Sequence, residues 1–131
     1  MNYEMFHIER PDIDVLRTIA MGHPRLIDKD PNAREFLEEM RAYAPKSGDD
    51  WVKAVSVVIG KGDQRAEHAH SEHTLLYYID PVDDCPLIVD GVPVRPKRGD
   101  LVLLKPGVMH AVPKNPTTET RISVAMLVTT F

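Results

Sequence analysis

Six consecutive residues, His68-Ala69-His70-Ser71-Glu72-His73, hold three imidazoles and a carboxylate. On an extended chain, side chains two positions apart share a face, so His68, His70 and Glu72 would project together. Each two-residue step advances about 6.6 Å along a strand, short enough for neighbouring side chains to lean onto one ion. Imidazole and carboxylate are ligands for Fe(II), Mn, Ni and Zn. Glu72 and His73 are adjacent and would face opposite ways, so only one of them would complete such a shell. A second stretch, residues 99–110, reads Gly-Asp-Leu-Val-Leu-Leu-Lys-Pro-Gly-Val-Met-His and would have to bring His110 back to the first cluster.

The scaffold that must do this reads mostly as strand. Short β-rich runs fall at 52–59, 65–70, 74–79, 87–89, 92–94, 101–104, 110–112 and 120–130, separated by turn residues. Asp90-Gly91 is a hairpin signal, and Pro106-Gly107 reads as a tight turn. The last run alternates, with Ile122, Val124, Met126 and Val128 on one face and Arg121, Ser123, Ala125 and Leu127 on the other. Trp51 would anchor the end of the first of these strands. Upstream, residues 1 to about 10 form an extended lead-in. Pro11 opens a helix through Met21, with Ile13, Leu16, Ile19 and Ala20 at helical spacing. Gly22 and Pro24 stop it, and His23 sits where the helix dipole favours a cation. Asp30 caps a second helix with Pro31 at its first position, and Phe36, Leu37, Met40 and Tyr43 form its apolar face. Pro45 ends it, and residues 46–50 are a loop. Seven or eight short strands with frequent turns predict one mainly β domain, a sandwich or barrel formed by residues 51–131. Residues 1–50 would pack outside it as a helical lead-in. A barrel of this size is wide enough to hold one small ligand.

Composition narrows the partners. The chain has 131 residues, 43% apolar and 27% charged, which is ordinary for a soluble globular domain. Its net charge is −4 and it shows no Lys/Arg stripe, so nothing recommends a nucleic-acid partner. No apolar run approaches the roughly 20 residues needed to cross a bilayer. The N-terminus carries an early acid and no long apolar run, unlike a secretory signal. The single cysteine, Cys85, allows no intrachain disulfide and fits a reducing compartment, so a cytoplasmic location is expected. Cys85 has no base beside it in the sequence and is not read as a nucleophile.

Residues 62–110 resemble the two motifs of the cupin superfamily. Gly62 is followed by five residues and then His68-x-His70, and Gly99 leads through a strand to Lys105-Pro106-Gly107-x-x-His110, with Asn115 further on. The resemblance implies a double-stranded β-helix, the cupin or jelly-roll barrel, with the N-terminal helices outside. It also implies His68, His70 and His110 as metal ligands. The family usually has a Glu four or five residues after the second His, where this chain has Thr74 and Leu75. Glu72 or His73 would replace that ligand, or the site would have three protein ligands. The stretch from Gly99 to Val124 is also similar to the C-terminal motif of small Fe(II)/2-oxoglutarate oxygenases, which share the barrel. That motif carries a metal His and, about ten residues on, an Arg that grips the far carboxylate of 2-oxoglutarate; the matching positions are His110 and Arg121. The Leu75-Leu76-Tyr77-Tyr78 strand resembles the segment after the first metal motif of that group, whose His-x-Asp/Glu would fall on His70-x-Glu72. Two His and a carboxylate hold one face of Fe(II) and leave positions open for cosubstrate and O₂. An Arg suits a bidentate grip on a carboxylate. These resemblances span about residues 51 to 129.

Together the residues and the resemblance lead to a metal-binding small cupin acting as a non-haem Fe(II)-type oxygenase or dioxygenase. Its substrate would be a small oxygen-bearing or carboxylate-containing molecule. One divalent transition metal is expected, Fe(II) first, with Mn, Ni or Zn as alternatives, and 2-oxoglutarate is the candidate cosubstrate. Arg121 would bind a carboxylate and Tyr77 would line the pocket. Leu101, Leu103, Val124 and Met126, or their alternates, would form apolar walls. The plain readings are exposed histidines on a polar strand and, for Arg121, a surface residue guarding an edge strand. Two other functions stay open: a non-catalytic ligand-binding or sensor module, and a redox-inactive isomerase or lyase. A homodimer would cover exposed sheet edges.

Overall fold

In a computed structural model, the described residues are 2–22, 27, 28, 30–45 and 51–128, with 51 and 52 described by backbone alone. Several sequence expectations lie outside them: His23 and Pro24 at the helix stop, the 46–50 loop, the Trp51 side chain, and Thr129 and Thr130 of the last run.

Along the chain run β1 (Tyr3–His7), α1 (Ile13–Gly22), a 3₁₀ turn (Pro31–Ala33), α2 (Arg34–Arg41), β2 (Trp51–Ile59), β3 (Arg65–His68), β4 (His73–Asp80), β5 (Leu87–Val89), β6 (Val92–Val94), β7 (Asp100–Leu104), β8 (His110–Val112) and β9 (Arg121–Val128). A five-stranded antiparallel sheet has the order β1-β7-β4-β9-β2, and a four-stranded one the order β3-β8-β5-β6. The two sheets form the jelly-roll, or double-stranded β-helix, expected from the sequence. The extended lead-in becomes β1, an edge strand zipped to β7 from Tyr3–Leu104 to His7–Asp100.

The helices cover one face of the larger sheet. Asp30 caps as expected: its side chain accepts from the Asn32 amide at 2.9 Å. Phe36, Leu37 and Met40 then face inward, beside Leu16, Ile19 and Ala20 of α1. These side chains meet Leu75, Tyr77, Ile79, Leu101, Leu103, Val124 and Met126 in one core. The expected helix face ran on to Tyr43, but α2 ends at Arg41. Amides of Ala42 and Tyr43 bond back to Glu39 and Met40 carbonyls, a tightened last turn. Tyr43 lies beyond it with its ring 5.0 Å from Phe6. The opposite face of the same sheet looks toward the smaller sheet. It is therefore buried on both sides, and β4 and β9 are buried nearly throughout.

Turn chemistry fixes the return of the chain. Asp90 and Gly91 both have positive φ, 48° and 80°, the signature of the two-residue turn that matches strand twist. Gly107 sits at φ 82° in the 105–108 turn, closed by the Val108 amide on the Lys105 carbonyl. A side chain there would be strained, so Gly is the residue that lets β7 reverse toward β8.

Candidate metal centre

His68 and His110 face each other across the β3–β8 ladder. The expected strand reached residue 70, but β3 ends at His68, so strand alternation does not place His70. A hydrogen bond does: the Gly107 amide donates to the His70 carbonyl at 2.8 Å. The turn that delivers His110 thus also anchors His70. Ring centroids stand 4.3 Å (His68–His110), 4.9 Å (His68–His70) and 5.4 Å (His70–His110) apart. One ring nitrogen of each lies within 4.8 Å of the others, close enough to share an ion.

The hydrogen bonds around the rings prepare lone pairs. His68 Nδ1 lies 2.8 Å from the Ala66 carbonyl, and His110 Nδ1 lies 3.2 Å from the Val108 carbonyl. A carbonyl only accepts, so each Nδ1 carries the proton and each Nε2 is left with a lone pair. Burial pushes the pKa of His110 down, with a weaker contribution from the two other rings. His70 is also pushed down, by burial first, then by His68, with the Glu72 carboxylate opposing and the Lys53 ammonium adding a smaller contribution. Both shifts favour the neutral, metal-ready imidazole.

The structure brings neither Glu72 nor His73 to this cluster. Glu72 Oε2 accepts from the Ser71 hydroxyl at 2.7 Å in the loop before β4. His73 opens β4 with the parity of Leu75 and Tyr77, toward the helices, and its buried Nδ1 has no hydrogen-bond partner among the described residues. The His70-x-Glu72 pairing drawn from the oxygenase resemblance is therefore not assembled. Among the described residues the cluster is three imidazoles and no carboxylate.

A cavity of about 220 Å³ opens between the sheets beside the triad. Its floor is built in cross-strand rows from β2, β9 and β4: Lys53, Leu127 and Thr74; then Val55, Ala125 and Leu76; then Val57, Ser123 and Tyr78. Arg121 lies beyond the last row. Its neighbours on β9 pair with both β4 and β2, so it belongs to a central strand and not an edge. It is 2% exposed. Its Nε donates to the Cys85 carbonyl at 3.1 Å, Nη2 to the Tyr78 hydroxyl at 3.1 Å and Nη1 to Ser123 Oγ at 3.5 Å, and its guanidinium lies 5.1 Å from the Tyr78 ring centre. Among the described residues no carboxylate pairs with it. A buried cation normally has an acid partner, because leaving water costs it several kcal/mol. Terminal N–H groups of Arg121, and the protons of the Tyr78 and Ser123 hydroxyls, are left over for a ligand.

Tyr77 is not at this site. It faces the helices, its hydroxyl donates to the Ile8 carbonyl at 2.8 Å, and its ring meets Phe36 edge-on at 5.1 Å. The pocket tyrosine is Tyr78. The walls follow the same parity: Leu101, Leu103, Val124 and Met126 back onto the helices, the β9 alternates Ser123, Ala125 and Leu127 line the cavity, and the β7 alternates Val102 and Leu104 pack in a second core between the sheets. Lys53 and Arg65, not singled out in the sequence, also line it. The signal for Lys53 was its alternation with Val55 and Val57 on β2.

Three converging imidazole nitrogens beside the cavity fit a first-row divalent ion with positions left open, and the donor set suits Fe, Ni or Zn. No family model matches the sequence, and no curated protein matches it. Among solved structures the fold is similar to HygX from Streptomyces hygroscopicus with iron bound (TM-score 0.78, 12% identity, 95% of this chain and 80% of that one). It is also similar to HygX with nickel and 2-oxoglutarate bound (0.75, 14%, 95% and 80%). A prolyl-4-hydroxylase from Pseudomonas putida aligns over 99% of this chain and 88% of its own, with TM-score 0.65 and 19% identity. At such identities the likeness is one of fold.

Proposed function

We propose that this protein is a non-haem metalloenzyme of the Fe(II) type that uses 2-oxoglutarate to oxidise a small molecule. One observation carries the reading: a buried arginine without an acid partner among the described residues shares a cavity with three imidazoles whose nitrogens converge. His68, His70 and His110 would hold the metal, which supplies the redox centre for O₂ chemistry. Arg121 would receive the far carboxylate of 2-oxoglutarate, with the Tyr78 and Ser123 hydroxyls adding donors. Val55, Leu76 and Ala125 would keep water from the space between them. The iron, nickel and 2-oxoglutarate bound by HygX support this assignment. The substrate would be small and oxygen-bearing or carboxylate-containing. A homodimer joined at the β1 or β6 edge, and a cytoplasmic location suited to one buried thiol at Cys85, belong to the same reading.

The all-imidazole set favours a second reading, because it suits redox-inactive Zn(II) as well as Fe(II). A metal-dependent isomerase or lyase would keep its activity without O₂. The deciding experiment is metal analysis of the purified protein by mass spectrometry, then anaerobic addition of Fe(II) and 2-oxoglutarate under visible absorbance. A weak charge-transfer band that is lost in Arg121→Ala is expected. Bound metal without the band would shift the assignment to the isomerase or lyase, and no metal after reconstitution would overturn both.

A further inference from the structure

The charge lining the cavity exceeds what one cosubstrate can answer. Lys53, Arg65 and Arg121 line it, and no Asp or Glu does among the described residues, on a chain whose net charge is −4. Resting on the reading above, a divalent metal and the two carboxylates of 2-oxoglutarate cancel, so the three side-chain charges remain. Arg121 is placed to face the cosubstrate. Lys53 is at the other end of the floor: it pairs with Leu127, whereas Arg121 pairs with Ile59. Six residues of strand separate these rows, about 20 Å of backbone, so the two cations rise from opposite ends of the floor. Lys53 is exposed and has no ion pair among the described residues. Arg65 is likewise exposed; its Nη1 donates to the Gln64 carbonyl at 3.0 Å, and no acid pairs with it among the described residues.

We infer that the molecule acted on is itself an anion, carrying a carboxylate or a phosphate ester, and that Lys53 is the residue that selects it. It enters at the Lys53 end of the floor, away from Arg121, while Arg65, paired with Val112 over the opposite end, adds to the positive field of the cavity as a whole. Lys53 presents a flexible point charge, which suits an anionic group of variable reach.

The test uses protein loaded with Zn(II), which does not turn over, and saturated with 2-oxoglutarate. Calorimetric titrations compare anions with neutral partners: propionate with propionamide, benzoate with benzamide, and phenyl phosphate with phenol. At least one anion should bind tenfold or more tightly than its partner, and the carboxylate and phosphate arms identify which group is recognised. Lys53→Gln should abolish that preference, Lys53→Arg should restore part of it, and 2-oxoglutarate affinity should stay within twofold. Equal binding of anion and neutral partner, no binding by any probe, or a preference that survives in Lys53→Gln would overturn the inference. Failure of 2-oxoglutarate itself to bind appears in the first titration and counts against the function proposed above. The same pairs titrated into the Zn(II) protein alone then still decide the role of Lys53.

Discussion

Replacing Arg121 by Met separates a residue kept for a ligand from one kept for the fold. Met has similar reach and no charge. The substitution removes the donor to the Cys85 carbonyl, which costs about 1–3 kcal/mol, and the contact over the Tyr78 ring, about 0.5–2 kcal/mol. Against this, a guanidinium 2% exposed and lacking an acid partner among the described residues carries a desolvation cost of several kcal/mol, and Met carries none. The terms nearly cancel or favour the variant. Arg121→Met should therefore unfold between its parent's temperature and about 8 °C above it, taking about 4 °C per kcal/mol for a domain of this size. The ligand response should go the other way. With Zn(II) present, 2-oxoglutarate at a hundred times its Kd should stabilise the parent by about 2.7 kcal/mol, and the variant should not respond. Thermal unfolding with and without ligand reads both quantities. A variant less stable by more than about 2 kcal/mol would refute the reasoning: Arg121 would then be a brace between β9 and the Cys85 loop.

Three further predictions follow from single contacts. His110→Ala should lose bound metal while Glu72→Gln keeps full stoichiometry, measured by mass spectrometry on proteins of unchanged circular dichroism; metal loss in Glu72→Gln would restore the carboxylate to the site. Tyr77→Phe should cost about 1–2 kcal/mol by stranding the Ile8 carbonyl and leave 2-oxoglutarate affinity alone, whereas Tyr78→Phe should weaken that affinity; calorimetry distinguishes them. Asp80 is held below the ordinary carboxylate range, by Arg17 (2.6 and 2.8 Å) first and Arg98 (2.8 Å) after burial is counted against it. Its folded pKa being depressed, its contribution is present above the unfolded value and lost as pH falls through the folded one. Asp80→Asn should then cost about 1–3 kcal/mol near neutral pH, and a gap that persisted in strong acid would count against the pairing.

What could be read from the sequence depended on whether a pattern had one physical cause. The Asp30-Pro31 helix start rests on local backbone chemistry, and it appears where expected. The β9 alternation survives because polar Arg121 and Ser123 mark one face. Tyr77 and Tyr78 could not be told apart, since β4 is apolar on both faces when helices cover one and the cavity the other. Glu72 looked like a ligand only if the strand continued through His70, and the chain leaves the sheet two residues too soon. The partner of the lead-in strand lies near residue 100, beyond any local signal. His68, His70 and His110 come together through a ladder pair and one turn amide, whose Pro-Gly signature was visible but whose hydrogen bond to His70 was not.

The sheet that is covered on both sides divides mutational freedom by parity. Along β4, Leu75, Tyr77 and Ile79 face the helices, and Thr74, Leu76 and Tyr78 face the cavity and the smaller sheet. Neighbouring residues therefore evolve under unrelated constraints. Drift on one set can reshape what the cavity admits while the helical back remains fixed, and the converse set can be repacked for heat tolerance without altering ligand choice. A library at Thr74, Leu76 and Tyr78 would explore specificity, and one at Leu75, Tyr77 and Ile79 would explore robustness, on a single eight-residue segment.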